Sequence, residues 1–441
     1  MSYQTHRSPK EKSNALAATL NRVSRAGLAA VLAFGAVHAH ATPLTLDDAL
    51  RLAQERSRQL PAQDAAAAAA REMAVAASQR PDPVVKTGLN SLPVNGLDRF
   101  SLVRDNFTML SAGVSQELTR SGKLKARTSR FEREAEVAEA GRELALAYLR
   151  RDTAVAWLDR HYQERMRDVL ATQRDEARLQ IDAADAAYRG GRGSQADVFA
   201  ARSSVAQIED RIAQAERQIT TATTQLTRWA GAAAAQTLGA PPAIDAVRLR
   251  AEDLETLLVH HPQIAVMARR EAVAQADAEV ARANQQTDVS VELTYSQRGP
   301  SYSNMVSVNL SVPLQWDPKH RQDRELAAKL SVVEQMRAER EEATRSHVAE
   351  ALAMLQEWRS DRERLIRYDT SLLPLATERT RASLAAYRGA SGSLTAVLEA
   401  RRGEIDTSME RLRLEMGAAR LWAQLNYLVP IGHDAPAAIR P

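Results

Sequence analysis

The chain contains no cysteine. Disulfides, thiolate metal ligation, thiol chemistry and an acylated N-terminal cysteine anchor are all excluded by that single absence. No segment offers the roughly 18–20 uninterrupted apolar residues that a membrane-crossing helix needs. Aromatic residues make up only 4% of the 441 positions, and no basic patch interleaves with them. The electrostatic and stacking footprint of a nucleic-acid binder is therefore missing. A formal charge of +4 does not restore it, because residues 1–26 carry Arg7, Lys10, Lys12, Arg22 and Arg25 against Glu11 alone. Outside that segment basic and acidic residues balance at 54 each.

Catalytic constellations are missing too. His260 and His261 are adjacent, so on a helix they point to different faces, and the reading is surface histidines at a helix start. Glu and Asp lie among Arg in long helical patterns, as on solvated faces. Trp157, Trp229, Trp358 and Trp422 fall in those patterns as packing anchors. The residues give no metal site, no cofactor site and no enzyme.

What is there begins with the basic segment. It is followed by a roughly 11-residue apolar run from Gly27 to Val37 and by Ala39-His40-Ala41, the order of a secretory signal peptide cleaved after Ala41. A mature chain starting near Thr42 works outside the cytoplasm and can enter a membrane only as a β-barrel.

A long internal repeat dictates the architecture. Ala186-Ala187-Tyr188-Arg189-Gly190 recurs as Ala385-Ala386-Tyr387-Arg388-Gly389, and Gly193-Ser194, Val198 and Ala201-Arg202 recur as Gly392-Ser393, Val397 and Ala400-Arg401. Each copy interrupts a glycine-poor helical pattern, which reads as a helix–turn–helix tip. Gly190 and Gly389 are expected to take the positive φ that ends a helix, and Ser194 and Ser393 to cap the next. A phosphate-binding loop at Gly190–Ser194 fails, since no strand precedes it and no Gly-Lys-Ser/Thr ends it.

Around the tips the two halves run in the same order. Helix is expected from Leu44 to about Gln79, stopped by Pro81 and Pro83, then strands at Val84–Asn90 and Thr108–Leu118 around a Pro93–Gly96 loop. A helix from Lys123 to Tyr188, about 100 Å long, carries a seam of Leu144, Tyr148, Val155, Leu158, Tyr162 and Val169. Gln195–Trp229 returns for half that length, and Gly231–Pro242 reads as a linker. The second half gives helix over Leu254–Asn284, strands at Val289–Ser296 and Val306–Val312, breaks at Pro313 and Pro318, helix over Arg321–Tyr387 and return over Leu394–Leu428. The expected organisation is a signal peptide over 1–41, a first repeat over 42–239, a linker over 240–250, a second repeat over 251–430 and a flexible tail over 431–441.

Each half thus pairs two half-length helices with one full-length helix, which suggests a wall of stacked and continuous columns. Strands of about 9–10 residues with one apolar face suit a membrane barrel, yet four strands cannot close one, and lipid does not tolerate open edges. Three chains would supply twelve. The expected fold is mainly α with a membrane β-barrel: long coiled-coil-like hairpins forming a tunnel, four strands per chain, and a twelve-stranded barrel completed by a homotrimer. A secreted soluble coiled-coil scaffold, with the hairpins as edge structures, is the reading from a different class.

This order resembles the TolC family of trimeric outer-membrane efflux ducts. The residues carrying the likeness are Leu46-Asp47-Asp48-Ala49-Leu50, Val114-Ser115-Gln116-Glu117-Leu118 followed by Gly122-Lys123, Val312-Pro313-Leu314 and the two Tyr-Arg-Gly tips. Gly122-Lys123 and Val312-Pro313-Leu314 look most similar to the heavy-metal branch, which serves resistance-nodulation-division pumps for cobalt, zinc and cadmium or copper and silver. The resemblance implies a passive conduit, a barrel in the outer membrane and a tunnel across the periplasm. It also implies partners: an inner-membrane pump, and a periplasmic membrane-fusion adaptor docking on Tyr188, Arg189, Gly190, Gly193, Ser194, Tyr387, Arg388, Gly389, Gly392 and Ser393. Acidic residues past the tips ring the closed entrance in such ducts. Asp197 and Glu399 match two such positions, while the earlier position past the second tip is Ala396. A drug-efflux or type I secretion duct would share all these features.

Overall fold

The computed structural model describes residues 43–428, apart from 254, 255 and 257–259. The expected signal peptide and tail lie outside the described residues.

Two short helices open the fold, α1 (Leu46–Arg56, 11 residues) and α2 (Gln59–Ala77, 19 residues). They correct the single helix expected over this stretch. Pro61 has no N–H to give to residue 57, so the ladder cannot run through it. Ser57 fills the gap, its hydroxyl accepting from the Leu60 N–H at 3.4 Å. Strands β1 (Val84–Asn90) and β2 (Met109–Leu118) precede α3 (Ser121–Arg189), a continuous helix of 69 residues. The first tip leads to α4 (Gln195–Ala230).

The segment between the halves is tied to the core at several points. Residues Gly231–Ala235 form a 3-10 turn whose Ala234 is fully buried, and Ile244 and Leu249 join the same core. Leu44 bridges in parallel to Leu238, and the indole N–H groups of Trp157 and Trp422 donate to the carbonyls of Leu44 and Ala246, each at 3.0 Å. The segment is thus fixed at a few points, Gly231, Ala234, Ile244 and Leu249 being buried, while residues between them such as Ala246 stay exposed.

The second half contributes α5 (Pro262–Asn284), β3 (Val289–Arg298), β4 (Met305–Ser311), α6 (Gln322–Arg367), α7 (Leu373–Arg388) and α8 (Leu394–Tyr427). Two boundaries depart from expectation. Of the helix expected over Leu254–Asn284, positions 254, 255 and 257–259 lie outside the described residues, and α5 starts at Pro262, whose missing N–H falls harmlessly on the first helical position. The long helix is interrupted by a π turn at Tyr368–Leu372. Pro374, two residues on, cannot donate to residue 370, and the extra residue in the turn absorbs the lost bond.

Packing is a wall of four columns. Stacked α2 and α4 lie on one flank of α3, stacked α5 and α8 on the other, and α6 with α7 closes the far side of α5 and α8. Cross-column ion pairs mark the register, among them Arg142–Asp64 at 2.9 Å, Arg178–Glu209 at 2.8 Å, Arg130–Asp277 at 3.1 Å and Arg340–Glu271 at 2.8 Å. All are at least partly exposed, so each adds at most about 1 kcal/mol and their use is alignment. Because α3 is flanked on both sides, its middle is buried well beyond the expected seam: Thr153, Ala154, Trp157 and Leu158 are all at 0% exposure. This is the main core, joined by Leu226, Leu355 and Leu425 from the neighbouring columns.

The strands form one antiparallel sheet in the order β1-β2-β3-β4. Alternation puts the residues of one face in register across all four strands. Val85 pairs with Val114, Val114 with Leu293 and Leu293 with Val308, while Leu89 pairs with Leu110 and Tyr295 with Val306. These side chains are exposed, Val85 at 72% and Val308 at 70%. The other face carries Lys86, Asn90, Ser111, Ser115, Glu292, Thr294, Ser307 and Asn309. On it Lys86 pairs with Glu292 across β2, and Gly113 leaves the room, since a Cβ there would lie 2.6 Å from the Thr294 hydroxyl. The junction of sheet and wall is clamped by Lys123, whose ammonium meets Asp288 at 2.7 Å while the same carboxylate accepts from the Arg120 N–H at 3.0 Å.

Candidate functional site: the two hairpin tips

Both tips are built by the same turn. In the first, the Gly190 N–H donates to the Ala186 carbonyl at 3.0 Å, and the N–H groups of Arg192 and Gly193 both reach the Ala187 carbonyl. In the second, Gly389 donates to Ala385 at 2.9 Å, and Ser391 and Gly392 to Ala386. The last carbonyls of each long helix are thereby satisfied, as a helix end requires.

The positive φ falls one residue later than expected. Gly190 and Gly389 have φ near −80°, a conformation open to any residue. Gly191 (φ +71°) and Ala390 (φ +56°) are the residues in the left-handed region. The turn needs its αL residue where the repeat holds glycine once and alanine once. A different pair of glycines is required by space. A Cβ on Gly193 would lie 3.2 Å from that of Ala187, and on Gly392 3.0 Å from that of Ala386, because the chain crosses its own helix end there.

The serines cap as expected. Ser194 accepts from the Asp197 N–H at 3.2 Å, and the Asp197 carboxylate accepts in return from the Ser194 N–H and hydroxyl, at 2.9 and 2.7 Å. This is a reciprocal capping box. Ser194's backbone N–H and then its hydroxyl hold the Asp197 carboxyl below its ordinary range. Ser393 accepts from the Ala396 N–H at 3.2 Å, but alanine returns nothing. Asp197 therefore has a structural task within the turn, whereas Glu399 is exposed one turn into α8 with no hydrogen bond among the described residues.

Charge differs too. Arg189 pairs with Asp185, one turn back. The position matching Asp185 is Leu384, and Arg388 has no carboxylate partner among the described residues. Tyr188 is 47% exposed, whereas Tyr387 packs on a small core of Ala184, Val198, Ala201, Leu394 and Val397 that joins the two hairpins. The structure thus brings all ten expected tip residues to one end of the wall, as two similar but unequal turns.

Sequence reasoning missed Gly191, Ala390 and the Lys123–Asp288 clamp. The spacing Gly-Gly at 190–191 against Gly-Ala at 389–390 was the available signal for the first two. His261 corrects another expectation. It is 4% exposed rather than on the surface, and its ring stacks on that of His347 at 4.5 Å. Among the described residues no three His, Cys, Asp or Glu side chains gather as a metal site.

Residues 49–232 match the family described as outer membrane efflux protein. No curated protein matches the chain at a significant level. Among solved structures, the chain is similar to the outer-membrane channel OprN, with 16% identity over 87% of this chain and 89% of that one, and a TM-score of 0.72. CusC gives 15%, 87%, 92% and 0.73, and the outer membrane protein VceC of Vibrio cholerae 15%, 87%, 95% and 0.71. The fold is that of these channels over nearly their whole length.

Proposed function

We propose that this chain, sharing the fold of outer-membrane efflux channels and matching their family over residues 49–232, is one of three subunits of an exit duct in a tripartite efflux system. It is a passive conduit in the outer membrane that reaches into the periplasm, and not an enzyme. The observation that carries the reading is the sheet. Its apolar face is in register and exposed across four strands, its other face is polar, and β1 and β4 each leave a row of unpaired backbone groups. In lipid each unpaired group costs several kcal/mol, and closure with two further copies removes all of them. A twelve-stranded ring puts Lys86, Glu292 and Thr294 toward the lumen.

The tips are the docking surface for a periplasmic membrane-fusion adaptor, which links the duct to an inner-membrane resistance-nodulation-division pump. Tyr188, Arg189, Arg388 and Glu399 are exposed there, and Asp197 and Glu399 line the entrance. Heavy-metal cations are the cargo, on the likeness of Gly122-Lys123 and Val312-Pro313-Leu314 to the metal branch. Two measurements test the reading. Outer membranes washed with alkali should retain the protein, whereas a soluble scaffold would leave. Deletion should lower tolerance to cobalt, zinc, cadmium, copper or silver more than tolerance to drugs. The opposite order would reassign the cargo while leaving the duct intact.

A further inference from the structure

Halfway along the wall, the end of α8 meets the start of α5, and the joint holds a buried histidine pair. His261 is the N-cap of α5, its Nδ1 accepting from the Gln263 N–H at 3.2 Å. That bond places the ring proton of the neutral form on Nε2. His347 of α6 stacks on it with ring centroids 4.5 Å apart and 29° between planes. Beside them opens a cavity of about 410 Å³, lined by residues of α3, α5, α6 and α8.

The groups facing His261 are few. From α3 come Tyr148, whose hydroxyl donates to Gln263 at 2.8 Å, and Arg151, whose guanidinium lies 4.6 Å from the Tyr148 ring. From α6 come His347 and Glu350, whose carboxylate lies 3.4 Å from His347 Nδ1. Tyr427 and the neutral Gln424 come from α8, and His260 precedes it on its own segment. One carboxylate thus faces two imidazoles and a guanidinium. Glu350 sits beside the His347 ring, whereas a proton on His261 would gain only the weaker pull of the same carboxylate, against burial, His347 and Arg151.

We propose that this joint is an acid-sensitive latch, which pins α5, α6 and the end of α8 to one another at neutral pH and lets them part in acid. Burial first, then His347 and more weakly Arg151, push His261 down to about 4, with Glu350 opposing them in part. The sign follows from linkage. A histidine held below its ordinary value adds stability that is whole above about 6.5 and is lost as pH falls toward about 4. The response therefore begins in mild acid, because its onset is set by the opened histidine. Loosening here would free the returning helix of the second hairpin at mid-height, away from both sheet and tips.

Hydrogen exchange on the full-length protein in detergent, corrected for intrinsic rates, tests the latch. Amides of 263–268, 345–352 and 420–427 should open roughly 30-fold more at pH 5.0 than at pH 7.5, while amides of the α3–α4 packing should not. His261→Asn retains an N-cap acceptor and removes the titration, so the acid response should shrink to about threefold or less. His347→Phe keeps a stacked ring over a buried His261 and should retain most of it. A wild type without the acid response would overturn the proposal, as would an undiminished response in His261→Asn or its loss in His347→Phe alone.

Discussion

The two tips close the same turn with different means. The first has glycine at its left-handed position, a two-way capping box from Ser194 and Asp197, and an Arg189–Asp185 pair on the last helical turn. The second has Ala390 in the strained position, a one-way cap from Ser393, and Arg388 facing leucine rather than aspartate one turn back. Behind the first tip α3 runs unbroken for 69 residues, and behind the second a π turn interrupts the helix 16 residues before the tip. Hydrogen-bond geometry has been kept in both, while the local reinforcement is concentrated in the first. Similar sequence at a repeat therefore need not mean similar stiffness.

The largest effect is expected where the two tips agree. Valine at Gly392 would force its Cβ and branches against Ala386, at a local cost on the order of 1–3 kcal/mol. Gly392→Val should open the tip to protease and abolish export-dependent tolerance at normal membrane levels. Gly389→Ala, where a Cβ meets only an ordinary 3.4 Å contact, should leave both unchanged. Equal damage from the two would show that the crossing is not what requires glycine.

Exchanging the left-handed residues comes next. Gly191→Ala should weaken the first tip by about 1–2 kcal/mol, and Ala390→Gly should strengthen the second by up to about 1 kcal/mol, part of the gain being offset by the greater entropy of unfolded glycine. Exchange rates of amides 186–194 and 385–393 report the two directly. A slower first tip or a faster second one would contradict the assignment of strain.

The capping box gives the smallest change. Asp197→Ala should cost the first tip about 1 kcal/mol, and Ala396→Asp should add a few tenths to the second. The Asp197 carboxyl is held below its ordinary range, so its contribution is whole above about pH 4 and is lost as pH falls through its folded value. Exchange at the first tip should therefore rise in acid in the wild type and stay flat in Asp197→Ala. A flat wild type would mean the box is absent in solution.

Most of this fold was legible in the residues because its signals are periodic. Alternation located three of the four strands to within a few residues, the proline stop before Val84 and the loop after Asn90 bounded the other, and glycine-poor patterns gave the long helices and both turns. Single-residue events were less legible. Pro61 and Pro374 each sit inside a good helical pattern, and only the surrounding bonds reveal a break in one place and a π turn in the other. His261 looked like a surface residue because its partner, His347, lies far along the chain. At the tips the repeat drew attention to the matching glycines, whereas strain settled on the position where the copies differ. The connection between halves anchors a few residues, Ala234, Ile244 and Leu249, in the core, and its Ala/Gly content alone does not reveal those anchors.

The central claim, that the four-stranded sheet is one third of a closed membrane ring, can be tested because the chain has no cysteine of its own. Within one chain β1 and β4 are separated by two strands, roughly 14 Å edge to edge, beyond the reach of a disulfide. Thr87→Cys combined in turn with Val306→Cys, Val308→Cys or Leu310→Cys places both thiols on the same face of opposite edges. Oxidation in the native outer membrane should link one of these pairs between copies, giving a ladder that ends at three chains. A ladder that stops at two, one that continues past three, or protein that stays monomeric with every pair would contradict the closed twelve-stranded ring.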